Sequence, residues 1–598
     1  MELLNLDGVI EKGVFEIPSY QRGYAWQDRQ LKDFWNDLEH VSKLGDKFHY
    51  MHSLTLRGLE NEFESSAFEI IDGQQRLATS LILLGLLAKI TQNKDPKYYS
   101  INLEPVLSYK YYGLNEAFRA IMEEEKDLER FQASFYAKNL IKAYAFFKEK
   151  ISDTPVGTLE KMFDALTKKM LFSVVELNDN RIDPFSSFET INNRGKDLST
   201  LELLKNRLHF VAHKICDEED LENLQQEIND TYNRIYYDLR HFEDDHLESF
   251  LKHFVAYYYG EKRDFKERLL NTAFDAHKKY DDLYDEYEKI NDLLLHLSYS
   301  SKVWNFLHTP DDEELRIEIT PKMRGLLDKM RRLNALSENA FLPLLLSLLT
   351  IQLAVRSGSE RHYTTKELEG LLEYLERFGF LIYGVADGKN TAKNEWIESA
   401  FRAFKAYKLW GDKITIEDLP TLEKNFFNKH NNSALELLEE SIHSKKNTEK
   451  WYQWGKALNY LLYEYELYHN PETTLNFDGS IESIEHILPQ KPDQGYSAKE
   501  KSWAKNPYIV HALGNLLSIP KNANSSLSNK PFDEKRKEYL KGSYSEKEVA
   551  KNASFGIVEI QKRSEKLLDF LIARYNIAEL VGENAIKAFK NALLKEIK

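Results

Sequence analysis

The 598-residue sequence predicts a multi-domain protein that is mainly α-helical, with α+β regions at its two ends. Three observations predict this class. Runs rich in β-branched and aromatic residues, set between turn signals, are confined to the two ends of the chain. The stretch between them repeats apolar residues at helical spacing among charges. The length is several times what one core organises, at roughly 100–200 residues per domain. Gly (25) and Pro (15) are sparse, while hydrophobic residues reach 42% and aromatics 13%, which excludes collagen-like, low-complexity and disordered classes.

In residues 1–205, "GVFEIP" (13–18), "YMHSLTLRG" (50–58), "AFEIID" (67–72) and "MLFSVVEL" (170–177) read as strands, and Asp28–Val41 and Gln75–Lys89 as helices, giving an α/β domain. Residues 206–470 read as a helical bundle, entered through a capping box of Ser199 and Glu202, with no repeat of fixed period. In residues 471–598, "SIESIEHILP" and "LGNLLSIP" read as two short strands, "PFDEKRKEYL" as a charged helix, and Ile557–Lys598 as an amphipathic helical tail.

The balance of 81 basic against 96 acidic residues, net −15, excludes a protein that coats nucleic acid by bulk charge. A single cysteine, Cys216, excludes an intrachain disulfide and a cysteine-based zinc site, and suits a reducing compartment. The opening MELLNLDGVIEKG carries acids where a secretion signal carries bases. The longest apolar stretches, Leu77–Ile90 and Phe341–Val355, are shorter than the ~20 residues a bilayer needs. The expectation is a cytoplasmic protein with two buried apolar helices and no membrane partner.

Glu485 and His486 end the first C-terminal strand, and Asn515 and Asn524 follow His486 by 29 and 38 residues. One histidine with acidic and amide oxygens can supply a base for water and ligands for a hard cation, as phosphodiester hydrolysis requires. The same residues also suit a core histidine and two turn asparagines. The strings "EHILPQ", "GNLLSIPKNAN" and "NKPFDEKRKEYL", in that order over about 480–545, resemble the HNH (ββα-metal) nuclease domain of the GmrSD family of modification-dependent, Type IV restriction enzymes. The nine-residue step from Asn515 to Asn524 is similar to one in the HNH domain of RNA-guided nucleases. The resemblance implies His486 as general base, Glu485 and Asn524 as ligands of one ion, and Asn515 as an orienting residue. Many HNH proteins carry Asp where this chain has Glu485. Oxygen ligands favour Mg²⁺ or Mn²⁺. Residues 481–545 hold ten basic and seven acidic residues, net +3 against −18 elsewhere, a suitable dock for a phosphate backbone.

"FEIIDGQQRLATSLILLGLLAK" reads as a strand, a turn at Asp72-Gly73 and a helix opening at Gln74–Arg76. A helix N-terminus with Arg76 beside it suits phosphate, and Asp72 suits either a metal ion or a helix cap. With "IPSYQRGYAWQ" and "FETINNRGKDLS", this segment resembles the ParB/sulfiredoxin-like N-terminal domain of the same family, over about 15–205. That resemblance implies binding and hydrolysis of a nucleoside triphosphate by Gln21, Arg22, Asp72, Gln74, Gln75 and Arg76, with Arg194 nearby. No GxxxxGK[ST] string occurs, so a P-loop is excluded.

The aromatic stretches 253–260 and 451–468 read as core rather than base-stacking surface, and His209, His213, His246 and His253 as structural or solvated. "KRKEY" (535–539) reads either as a solvated helix face or as a DNA contact. The reading implied overall is a nucleotide-regulated endonuclease in antiphage defence, cutting double-stranded DNA with modified bases or backbone. Its rivals are a nucleotide-dependent DNA-binding switch and an RNA nuclease that arrests the host. No methylase string is present, "KNPYIV" (505–510) lacking the second proline of N-P-P-Y, so selectivity for modified DNA is the expected self-protection. The sequence leaves the oligomeric state open, a homo-oligomer included.

Overall fold

The computed structural model describes residues 2–18, 21, 23–59, 66–91, 106–110, 113–132, 134–177, 199–275, 278–280, 282–309, 315, 317–355, 362–388, 390–428, 430–473, 482–492 and 494–597. Arg22 and Arg194 lie outside them, as do Tyr20 and the segment Asn192–Gly195. The chain forms two compact units, Met1–Leu315 and Arg316–Lys598.

The first unit is built on a six-stranded mixed sheet of β1 (Glu2–Asn5), β2 (Val14–Ile17), β3 (His49–Leu59), β4 (Ala67–Asp72), β5 (Leu107–Tyr109) and β6 (Met170–Glu176), in the order β1-β6-β3-β4-β2-β5. Four strands and the helices α1 (Asp28–Lys43) and α2 (Gln74–Ile90) fall where the sequence pattern puts them. β1 and β5, of four and three residues, were not read from the sequence pattern. β4 runs antiparallel to β3 and parallel to β2, so its C-terminal end delivers Asp72 beside β3, with Thr55 as its register partner. α2 is apolar around its whole circumference, and Leu77–Ala88 is buried throughout, as a helix without a polar face must be. The helices α3 (Phe135–Ser152) and α4 (Val156–Lys168) pack against it. Ser199 and Glu202 form the expected capping box at the start of α5 (Thr200–Ile215), which leads into α6 (Glu218–Asp238), α7 (Asp244–Tyr259) and α8 (Leu283–His308).

The second unit begins with α9 (Pro321–Ser337), α10 (Leu342–Ala354) and α11 (Thr365–Phe378), followed by a π-helical turn, Gly379–Val385, and α12 (Lys393–Trp410). α10 is the second apolar helix, buried at every position from Leu342 to Gln352. Among the described residues no helix is long and apolar enough to cross a membrane. After α13 (Lys456–His469), β7 (Glu482–His486) and β8 (Leu516–Pro520) form an antiparallel pair. The helices α14 (Lys521–Leu527) and α15 (Phe532–Tyr539) follow, and the tail holds α16 (Ile557–Arg574) and α17 (Glu583–Lys595). The strand pair and α15 match the sequence reading, and Asn524 lies on the helix α14 rather than in the turn that one of its two readings gave it. A core of Ile487, Leu488, Leu517, Ile519, Tyr539 and Ile560 joins the strand pair to the helices around it.

Candidate functional site

Side chains leave a strand on alternate faces, so Glu485 and His486 at the end of β7 enter different surroundings. On one face, the Lys535 ammonium donates to Glu485 Oε1 at 2.5 Å and the Tyr539 hydroxyl donates to the same oxygen at 3.2 Å. Lys535 also donates to the carbonyls of His486 (2.9 Å) and Ile487 (3.3 Å). Lys535 and Tyr539 lie one turn apart on α15 and are fully buried, which takes both out of the solvated or DNA-facing role read for "KRKEY". Burial pushes the Glu485 carboxyl up and the Lys535 ammonium down, and the charge of each partner opposes both shifts.

On the other face, His486 Nε2 lies 3.0 Å from His511 Nδ1, so the two rings share a hydrogen bond. The Gln490 amide nitrogen lies 3.4 Å from His486 Nδ1, and the Tyr452 ring packs against both imidazoles at 5.0 and 5.8 Å between centroids. Burial, then His511, then Lys535 push His486 down to about 3. The imidazole is therefore neutral at physiological pH.

Asn515 is fully buried and clamps the chain just beyond His486. Its Oδ1 accepts from the Leu488 amide at 2.8 Å, and its Nδ2 donates to the carbonyls of Leu488 (2.9 Å) and Val510 (2.7 Å). The carbonyls on either side of Asn515, those of Gly514 and Leu516, accept from Arg563 Nη1 at 2.9 and 2.7 Å. Asn524, on α14, donates from Nδ2 to Ser483 Oγ (2.7 Å) and the Ile484 carbonyl (3.3 Å), which sets it against the strand face shared by Ser483 and Glu485.

Among the described residues no three His, Cys, Asp or Glu side chains converge as an ion cage. A Mg²⁺-type ion needs only one or two protein oxygens beside its waters and a substrate phosphate. Asn524 and Glu485, oxygen donors against one face of β7, fit that donor chemistry, with Lys535 as a resident cation on the carboxylate.

In the first unit the structure brings Gln21, Asp72, Gln74, Gln75 and Arg76 together. Gln21 donates to the Ile71 carbonyl at 2.6 Å, Gln74 donates to Gln21 Oε1 at 2.9 Å, and Gln75 ties the Gly23 carbonyl and Ala25 amide at 2.9 and 2.8 Å. All three amides are buried and brace the segment before α1 against the start of α2. Asp72 and Arg76 are partly exposed; Arg76 donates to Asp72 Oδ2 at 3.2 Å and to the Ser53 carbonyl at 2.6 Å. Gly73 makes the turn at φ 103, a conformation costly for other residues, and α2 starts without a side-chain cap.

His511 and Arg563 are the residues that sequence reasoning passed over, whereas Lys535 and Tyr539 were read, as the ends of "KRKEY", for a surface role that their burial excludes. His511, four residues before Asn515, carried no signal.

The sequence matches the family model described as GmrSD restriction endonuclease, N-terminal domain, over residues 3–209, and that of the GmrSD restriction endonuclease C-terminal domain over residues 438–570. The first range holds all six strands of the sheet except Glu2 of β1, together with the Asp72–Arg76 turn, and the second holds β7, β8 and every residue gathered around His486. No curated protein matches.

Proposed function

The chain belongs to the GmrSD restriction endonuclease family, and from that premise we propose that it is a nucleotide-regulated, modification-dependent (Type IV) DNA endonuclease of antiphage defence, with an HNH centre on β7 and β8 and a ParB/sulfiredoxin-like nucleotide domain on the six-stranded sheet. The observation that carries the reading is the cluster built on β7 and β8: His486 with its Nε2 bonded to His511, Asn515 clamping the chain just beyond it, and Asn524 set against the same strand.

His486 takes a proton from water as the water oxygen forms a bond to phosphorus. The bond from phosphorus to the 3′ oxygen breaks, and that oxygen takes a proton from solvent, leaving 5′-phosphate and 3′-hydroxyl ends. His511 holds the ring, and Asn515 holds the main chain that follows it. Asn524 and Glu485 would hold a Mg²⁺ or Mn²⁺ ion, whose chemistry is to neutralise charge on the phosphate. In the first unit, Asp72, Arg76 and the first amides of α2 would meet a triphosphate, with Gln21, Gln74 and Gln75 shaping the turn.

The test is incubation with Mg²⁺ and matched modified DNA, unmodified DNA and RNA. His486→Ala should abolish cutting of modified DNA with affinity nearly unchanged, and EDTA should stop the wild type. Nicking that survives both treatments sinks the assignment, and cutting of RNA alone favours the host-arresting nuclease.

A further inference from the structure

A cavity of about 600 Å³ opens in the second unit beside the end of α9, the π-helical turn Gly379–Val385 and residues 437–457. That volume lies within the ~300–1,000 Å³ usual for small-ligand sites. Lys446, Lys450 and Lys456 line it, and none of them ion-pairs with a carboxylate among the described residues. The Lys450 amine donates to the Ser444 carbonyl at 3.2 Å and lies over the Tyr508 ring, and the Lys456 amine reaches the Ala335 carbonyl at 3.5 Å. Trp454 forms an aromatic wall, fixed by its indole N–H donating to the Gly384 carbonyl at 3.0 Å.

The backbone around the cavity is unusual in two independent ways. Lys450 (φ 47) and Asp387 (φ 49) both sit in the left-handed region that side chains disfavour, and both line the cavity. The turn Gly379–Val385 has π-helical geometry, a rare conformation that is frequent at functional sites. Strain of this kind persists where the surroundings impose it, and it gathers at ligand sites. Unpaired ammonium groups beside a fixed indole face suit a ligand that joins an anion to a flat ring.

We propose that this cavity binds one nucleotide unit, with the base against Trp454 and the phosphate toward Lys446 and Lys456. Two sources share that chemistry: a residue extruded from the DNA substrate and a free nucleotide. Extrusion rests on the DNA-nuclease reading above, and it would expose the base edges on which a modification is read. The cavity is tied to the nuclease centre by the short 3₁₀ turn Lys450–Trp454: Lys450, Gln453 and Trp454 line the cavity, while Tyr452 packs on His486 and His511.

The experiment uses the full chain in a His486→Ala background, so that binding is read without cutting. Probes are deoxycytidine 5′-monophosphate, a short duplex with glucosylated hydroxymethylcytosine, and the same duplex unmodified. Trp454→Ala and the double variant Lys446→Glu/Lys456→Glu, whose lysines are exposed and safe for folding, are compared with the parent. We expect at least about tenfold weaker binding of the modified duplex or the monophosphate in both variants, and less than about threefold change for the unmodified duplex. Loss on the modified duplex alone assigns the extruded residue, and loss on the monophosphate assigns a free nucleotide. Unchanged affinity for every probe, or equal loss on both duplexes without loss on the monophosphate, overturns the proposal. Should the wild type cut no DNA, the DNA-nuclease reading fails, and the monophosphate measurement still decides the cavity.

Discussion

Lys535 ties the end of β7 together, because one fully buried ammonium serves the Glu485 carboxylate and two carbonyls of the chain around His486. A buried pair adds little net stability over an apolar pair of equal volume, whereas removing one partner strands a charge in the interior. Lys535→Met should therefore destabilise the second unit by about 3–5 kcal/mol, and Lys535→Met with Glu485→Gln should recover most of that loss. Urea unfolding of the three proteins checks this, and a double variant no more stable than the single would contradict it. Buried histidines make a second residue-scale prediction. Burial pushes His209 and His486 down to about 3 and His253 to about 4, whereas the unfolded chain titrates them near ~6.5. A folded value below the unfolded one means that stability is full above ~6.5 and is lost as pH falls toward the folded values. The urea midpoint should fall between pH 7 and 5 (values about 7 and 5 bracket the unfolded titration), and His253→Gln should flatten that fall.

At the scale of elements, the strand pair depends on how closely α16 approaches the turn before β8. A Cβ on Gly514 would stand 2.0 Å from the Ile560 carbonyl oxygen and 2.6 Å from the Ser564 amide, both backbone atoms that a rotamer change cannot move. Gly514→Ala should therefore cost at least about 1–3 kcal/mol and disturb the clamp that Asn515 and Arg563 build, lowering cleavage as well as stability; normal kcat with normal unfolding would contradict the packing. The longer elements were legible because pattern and burial agree in them: α2 and α10 are apolar throughout and lie in the core, and β7 and β8 carry their strand residues between turn signals. β1 was not read from the pattern, and its place comes from pairing with β6. α14 was not read as a helix because "KNANSSL" is rich in residues that compete with the helix backbone for hydrogen bonds, yet Asn524 and Ser525 bond within the fold instead. Of the site residues, His486 and Asn515 stood out by motif. The inward turn of Lys535 and Tyr539 did not, because a charged run gives no sign of which face a core will claim. Gln21, Gln74 and Gln75 were legible as a group, but their bonding to one another and to main chain depends on tertiary contacts between segments some 50 residues apart.

At the scale of the whole molecule, the two candidate sites belong to different compact units and use different residue chemistry, so substitutions should separate their activities. Asp72→Ala or Arg76→Ala should remove triphosphate hydrolysis, whereas His486→Ala should spare it. Loss of hydrolysis in well-folded His486→Ala protein would argue for a single shared site. The remaining prediction concerns self-protection. A nuclease that cut ordinary DNA would destroy the genome of its own cell unless a methylase marked it, and these 598 residues hold no methylase string. A nuclease selective for modified DNA needs contacts that reward an added group on the substrate. A pocket that gains favourable contacts to a sugar or a methyl supplies a few kcal/mol, or roughly 10²-fold. Cleavage of DNA with modified cytosines or a phosphorothioate backbone should therefore exceed cleavage of the same unmodified sequence by at least about that factor, measured as kcat/KM with triphosphate present. The comparison belongs at physiological salt, because phosphate contacts are sequence-blind and strengthen as salt falls, masking a difference of this size. Equal cutting of modified and unmodified plasmid would reject modification dependence and require a separate methylase to shield the host.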